Sequence, residues 1–299
     1  MSLIHAHLPS RALIAVGGAD WRAFLQGQLT QDVETLQAGE ARFAALLTPQ
    51  GRLLFDMFVV GREDGCWLDV EAERREALIQ RLAIYRLRAK VDLAPDVTPV
   101  SALWPPQSPS VTAPPQAGEH LGASDPPPRA GEVDRAQRET EGASGAGIPD
   151  PRLPALGWRG YGVDAAPTAD ESAYDAHRLA LGVPGPDDWG SDRTYPIEAN
   201  FDLLHGIDFK KGCFVGQETT SRMKRRGQIK TRMLPIAFEG PPPPPGAEVL
   251  AGDLRAGEVR SGREGRAIAL LRLDRIGGDL AVDGRPVRVE RPARFPDEP

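Results

Sequence analysis

Within FKKGCFVGQETTSRMKRRG, residues 209–227, Cys213 lies between Gly212 and Gly216 and just behind Lys210 and Lys211. Cations beside a cysteine favour its thiolate, the nucleophilic and metal-binding form. Flanking glycines suit a tight turn with close backbone approach. The combination points to a functional thiol, against the ordinary alternative of a small buried hydrophobe. Cys66, between Gly65 and Trp67 at the head of an apolar run, takes that ordinary reading. From Lys210 to Arg232 eight basic residues stand against Glu218 alone, +7 in a chain of net charge −6. Such a run is either a solvated face or a patch that attracts a poly-acidic ligand, an acidic partner or RNA. It has no interleaved aromatics and no recognisable RNA-binding module, which argues against sequence-specific RNA readout.

A second set could hold a small molecule. Tyr174 and Arg178 stand four apart in a helical pattern and so share a face. Tyrosine can stack on a flat heterocycle, and arginine can clamp a carboxylate with two hydrogen bonds. Glu198, in YPIEAN, could accept two parallel hydrogen bonds from an amidine-like edge such as a pterin presents. Taken singly, each is more often ordinary surface chemistry.

Composition excludes other classes. Two cysteines make no disulfide framework and no CxxC pair, and they cannot complete a four-thiolate cluster or zinc site. The five histidines form no HExxH-like cluster. No run of about eighteen apolar residues exists, so no transmembrane helix is expected. The start, MSLIHAHLPSRALIAVGGADW, lacks the basic head and long apolar core of a secretory signal. The expected compartment is the cytoplasm.

The elements that must position these residues can be read from periodicity, and 299 residues suffice for two or three compact units. ALIAV (12–16) predicts a strand. A helix follows, with Asp20 as its cap and Trp21, Phe24, Leu25 and Leu29 on its apolar face. Residues 41–60 predict a hairpin turning at Thr48-Pro49-Gln50-Gly51, and CWLDVE another strand. Residues 72–90 predict an amphipathic helix buried through Leu78, Leu82, Tyr85 and Leu87. This alternation predicts an α+β region over 1–104. Residues 105–151 hold ten prolines and few large aliphatics. They cannot bury enough apolar surface to offset their ordering entropy and predict a flexible insertion. The α+β region continues over 152–228, with a helix at 171–181 ended by Gly182 and Pro184. From 229 to 299, short apolar runs between Gly- and Pro-rich turns predict a small antiparallel β-barrel.

The segments FLQGQLTQDV, LLTPQGRLLFD, YRLRAKV, YPIEANFDLLHGIDFKKGCFVGQE and RRG follow one another in the order and spacing of the YgfZ-type folate-binding proteins. The chain resembles that family over most of its length outside 105–151, and KGCFVGQE is the most specific segment. Members serve in iron–sulfur cluster assembly and repair, and are relatives of the glycine-cleavage T protein, an aminomethyltransferase. The resemblance implies three small domains around a central channel, the first interrupted by the second and the last a β-barrel. It implies tetrahydrofolate in the channel, with Tyr174 as an aromatic against it and Arg178 and Glu198 in channel-facing segments. Arg11 stands where another relative has a tryptophan, and Asp56 and Gln217 complete the implied ligand-side set. Cys213 matches the motif cysteine, needed in relatives for maturing or maintaining [4Fe–4S] enzymes, including radical enzymes that modify tRNA. In a mitochondrial counterpart it ligates a cluster shared with an A-type carrier protein. The implied partners are therefore such a carrier and the client enzymes, and the implied cluster is a transient, shared one.

Two departures bear on activity. Gly51-Arg-Leu-Leu-Phe55-Asp56 carries one carboxylate where aminomethyltransferases carry paired aspartates, and Glu71 stands where they have an asparagine. The acid–base equipment for aminomethyl transfer is incomplete, although one carboxylate can suffice. The leading expectation is a folate-binding cluster-assembly accessory using Cys213. The alternative is a tetrahydrofolate-dependent one-carbon transferase using Asp56, and a third is a tRNA-binding accessory acting through the basic run.

Overall fold

The computed structural model describes residues 2–106, 147–227 and 229–295. Its first strands are β1 (Ile4–His7), β2 (Arg11–Gly17), β3 (Ala41–Leu47), β4 (Leu53–Arg62), β5 (Gly65–Glu71) and β6 (Asp92–Asp96). Then come β7 (Val100–Trp104), β8 (Ile148–Pro149) and β9 (Trp158–Tyr161). Helices α1 (Trp21–Gln28) and α2 (Arg75–Arg86) lie among these strands, and α3 (Glu171–Ala180), α4 (Pro186–Trp189) and α5 (Gln217–Arg226) follow them. One antiparallel sheet has the order β3-β4-β5-β2-β6 and the other β1-β7-β9-β8. The first is therefore inserted between two paired strands of the second.

β4 is apolar almost throughout because both of its faces are covered. Phe55, Met57 and Val59 pack with α1 and α2 in one core. Leu53, Phe58 and Val60 face a second core that includes Trp104, Tyr174, Trp189 and Phe201. The chain ends in a closed barrel with its own core, built from β10 (Thr231–Ala237), β11 (Glu248–Ala251), β12 (Leu254–Arg263), β13 (Arg266–Arg272), β14 (Leu280–Val282) and β15 (Arg285–Val289). Short runs between turns give this result because closure removes every unpaired strand edge.

Several local expectations change. Asp20 occupies the N-cap position of α1, but its carboxylate accepts from the Lys90 backbone N–H at 2.7 Å, not from the helix. The 72–90 helix is shorter than its pattern: a 3₁₀ turn opens it and α2 stops at Arg86. Leu87 takes φ of 45° and lies exposed, leaving Leu78 and Leu82 as the buried face. The flexible-insertion reading of 105–151 falls mostly outside the described residues. Its last residues do not: Ile148 and Pro149 pair with Arg159 and Trp158, and Asp150 is buried.

Candidate functional site

The two sheets and α3 enclose a cavity of about 550 Å³, within the range of small-molecule pockets. Strand periodicity dictates its wall, since residues two apart share a face. Asp56 and Phe58 of β4 point one way, and so do Asp69 and Glu71 of β5. Phe58 registers opposite Asp69, and Arg11 of β2 opposite Glu71. Beneath the cavity runs a buried ionic network. Arg11 donates from Nε to Asp69 Oδ1 at 2.8 Å and from Nη1 to Asp56 Oδ2 at 3.3 Å. Arg159 of β9 donates from Nε to Asp69 Oδ2 at 2.8 Å, and the Tyr161 hydroxyl donates to the same oxygen at 3.1 Å. Arg152 donates to Asp150 Oδ2 and to the Tyr174 hydroxyl oxygen, both at 2.7 Å.

Three guanidinium carbons surround the Phe58 ring, at 3.9 Å (Arg159), 4.8 Å (Arg152) and 5.6 Å (Arg11) from its centroid. A ring face attracts cations most strongly where water is excluded. Burial alone would push the Asp69 carboxyl up, but Arg159 and Arg11 outweigh it and hold it below its ordinary value. Burial likewise opposes the Arg11 charge, and Asp69 and Asp56 restore it. One donor remains open: Arg159 Nη2 is buried without a hydrogen-bond partner. Glu71, on the cavity wall, has its carboxyl pushed up by burial against the pull of Arg74, with Asp56 adding to the rise.

The expected ligand residues separate into two groups. Tyr174, Arg11, Asp56 and Arg178 line the cavity, whereas Glu198, Gln217 and Cys213 do not. Tyr174 is buried against Trp104, with ring centroids 5.7 Å apart. Arg178 is already engaged: it binds Asp175 at 2.5 Å, Asp188 at 3.0 Å and the Val183 carbonyl at 3.1 Å. Asp188 in turn accepts from Ser261 of the barrel. Arg178 is therefore a corner post joining α3, α4 and the barrel, not an open carboxylate clamp. Glu198 accepts from the Tyr195 N–H at 2.9 Å and the Thr231 hydroxyl at 2.5 Å, tying its turn to β10. Its expected channel-facing role is corrected accordingly. Sequence reasoning missed Arg152, Arg159, Asp69 and Asp150. The available signal was Asp69 itself, an aspartate in mid-strand where that residue is depleted.

The thiol lies elsewhere. Cys213 is exposed and Cys66 buried, and burial pushes the Cys66 thiol up to about 12. Gly216 takes φ of +78°, and a Cβ there would lie 2.5 Å from the Thr48 carbonyl oxygen, so this glycine is required for α5 to meet the β3–β4 turn. Gly212 has no such constraint; a Cβ would meet nothing within 4 Å. The lysines differ too. Lys211 turns inward onto three backbone carbonyls, and burial lowers its ammonium to about 8. Arg232 is buried in a pair with Asp202 at 2.8 Å. The exposed basic face is thus Lys210, Arg222, Lys224, Arg225, Arg226 and Lys230.

Residues 230–297 match the C-terminal β-barrel domain of CAF17. The glycine cleavage system aminomethyltransferase T from Bartonella henselae aligns with a TM-score of 0.68, covering 98% of this chain and 86% of its own at 18% identity. The architecture is therefore that of the aminomethyltransferase T-protein fold, mixed α/β with a six-stranded C-terminal barrel.

The sequence relatives narrow the class. The human mitochondrial iron–sulfur cluster assembly factor IBA57 is 32% identical over 92% of this chain and 79% of its own length. The mouse protein is 29% identical with the same coverage. The Mycosarcoma maydis homologue is 32% identical over 80% of this chain, which spans 59% of that longer protein. This chain belongs to the IBA57 family of iron–sulfur cluster assembly factors. The expectation of a YgfZ-type protein is met at the level of cluster assembly on a T-protein fold, under the IBA57 name. The cytoplasmic expectation is overturned, because these relatives are all named as mitochondrial proteins. Its basis was too coarse: the lack of a membrane-crossing apolar span and of a secretory-signal pattern does not separate cytosol from an organelle interior.

Proposed function

We propose that this chain assembles or repairs [4Fe–4S] clusters in client enzymes by presenting the Cys213 thiolate as one ligand of a cluster shared with a thiol-bearing carrier of the A type. The observation that carries this reading is the exposure of Cys213 beside the basic face of α5 while the other cysteine is buried. One reachable thiolate supplies one ligand, and the remaining ligands come from the partner. The cations around it, which form no ion pair among the described residues, favour a partner with an acidic face. Clients include tRNA-modifying radical enzymes, which supply the assay. In a deletion strain, Cys213→Ser is expected to lose cluster-dependent tRNA methylthiolation while keeping its fold by circular dichroism. Full restoration by the serine variant would refute the role.

Tetrahydrofolate is the proposed cavity ligand. The lining suits it: Asp56 and Glu71 offer acceptors to a donor-rich heterocycle edge, Tyr174 lines the wall, and Arg159 retains an open donor. A bound reduced folate supplies one-carbon carrying capacity. These residues would hold and orient it. Binding is tested by calorimetric titration with tetrahydrofolate, expected to weaken at least tenfold in Asp56→Asn. A second reading, one-carbon transfer, draws on the two neighbouring carboxylates Asp56 and Glu71, the latter with its carboxyl pushed up by burial. It predicts formaldehyde-equivalent transfer to tetrahydrofolate that is lost in Asp56→Asn and kept in Cys213→Ser.

A further inference from the structure

Residues 208–216 form neither helix nor strand, yet they carry the exposed thiol. One side chain, that of Lys211, ties this loop directly to the end of α1. Lys211 Nζ donates to the carbonyl oxygens of Leu29 at 2.6 Å, Gln26 at 2.8 Å and Gln31 at 2.9 Å. An ammonium has three N–H donors, so this nest satisfies all of them. Among the described residues no carboxylate lies within ion-pair distance of it. Gln26 and Leu29 belong to the C-terminal end of α1, where the helix dipole presents its negative pole. The ammonium also lies 5.4 Å from the centroid of the Phe214 ring.

The surrounding contacts form a seam between residues 29–31 and 205–211. The Thr30 hydroxyl donates to the Gly206 carbonyl at 2.6 Å, Gln31 Nε2 donates to the His205 carbonyl at 2.6 Å, and the Asp208 N–H donates to the Thr30 carbonyl at 3.0 Å. Lys211 closes this seam on one side of the thiol, and the buried Phe214 ring anchors the other. Only Gly212 and Cys213 bridge the two anchors, with open space around Gly212. Lys211 therefore acts on the thiol through geometry, since its charge is already matched to backbone dipoles.

We infer that Lys211 is a positioning residue whose ammonium, seated in the carbonyl nest at the end of α1, holds the loop that presents Cys213 to a partner-borne cluster. The inference rests on the reading of Cys213 as a shared ligand. Binding constellations need their atoms held to within about 0.5 Å, and a two-residue bridge between fixed anchors provides that. It also assigns a purpose to FLQGQLTQDV, whose backbone supplies the nest from 180 or more residues away in sequence.

The test compares the full chain with Lys211→Met, which keeps the length and removes the donors, and with Lys211→Arg, which restores them. Amide hydrogen exchange is followed by mass spectrometry over 209–216 and over the barrel, alongside rescue of a cluster-dependent enzyme in a deletion strain. Lys211→Met is expected to speed exchange in 209–216 at least tenfold, leave barrel amides unchanged and impair rescue, with Lys211→Arg recovering both. Unchanged exchange in 209–216 for Lys211→Met overturns the inference, whatever the rescue. Failure of Cys213→Ser to impair the same enzyme would count against the functional reading instead, leaving the exchange result to stand on its own.

Discussion

Asp69→Asn tests whether the buried ionic network holds the cavity together. Asp69 is fully buried and accepts from two guanidiniums and a phenol. The substitution keeps the shape and one acceptor but turns an NH₂ toward donors, and it leaves Arg11, Arg152 and Arg159 with one carboxylate fewer. Removing one partner of a buried ion pair costs about 3–5 kcal/mol. The retained acceptor argues for the lower end, about 3 kcal/mol. With about 2–4 °C per kcal/mol for units of this size, the melting temperature should fall by roughly 10 °C. The pH dependence gives an independent check. The folded carboxyl is held below its ordinary 3.8, so its stabilisation is present above that value and disappears as pH falls through the folded pKa. The gap between wild type and variant should stay constant from about pH 5 to 8 and narrow below about pH 4. Scanning calorimetry across that range decides it. A fall of less than about 3 °C at pH 7, or a gap that widens in acid, would refute the reasoning.

Other perturbations follow from the same structure. Gly216→Ala combines a left-handed backbone with a 2.5 Å approach to the Thr48 carbonyl and should cost about 2 kcal/mol or more in urea unfolding. Gly212→Ala meets nothing and should stay within about 0.5 kcal/mol of wild type. Glu71→Gln removes a carboxyl whose pKa burial raises. The wild-type group favours folding when protonated and opposes it as pH rises, so the variant's melting temperature should exceed wild type at pH 7 and converge with it near pH 4. Iodoacetamide at pH 8 should modify one thiol in the native protein and two in urea, because Cys66 is buried and pushed up to about 12. Peptide mapping would show which.

Periodicity was enough to place β2, the β3–β4 hairpin, β5, the helix at 171–181 and the barrel, but it gave no sign of the short strands β1, β6, β7, β8 and β9. It failed at element ends, as with Leu87, where a change of backbone conformation overrides a helical pattern. The exposure of Cys213 agrees with its glycine-flanked, basic setting. Arg178 and Glu198 misled because a side chain able to clamp a ligand can equally clamp its own protein. Asp175, three residues before Arg178 in the same helix, was a local sign of this, but Asp188 and Thr231 lie in other elements and carry none. The Arg159–Asp69 pair spans ninety residues, and only the odd placement of an aspartate inside a strand hinted at it. Lys211 was read as an activator of its neighbour, while its real acceptors are backbone atoms that no side-chain pattern reveals.

The pairing of β2 with β6 and of β1 with β7 has a modular consequence. The chain enters the five-stranded unit just after His7 and leaves it just before Val100, and Leu8 N–H still bonds to the Val100 carbonyl at 2.8 Å. The two joints are side by side, so residues 11–96 leave the second sheet and rejoin it at one place, like a cartridge with adjoining terminals. That unit carries Arg11, Asp56, Asp69 and Glu71 together, while Arg152, Arg159 and Tyr174 lie outside it. One wall of the cavity thus belongs to the inserted unit and the facing charges to the sheet that receives it.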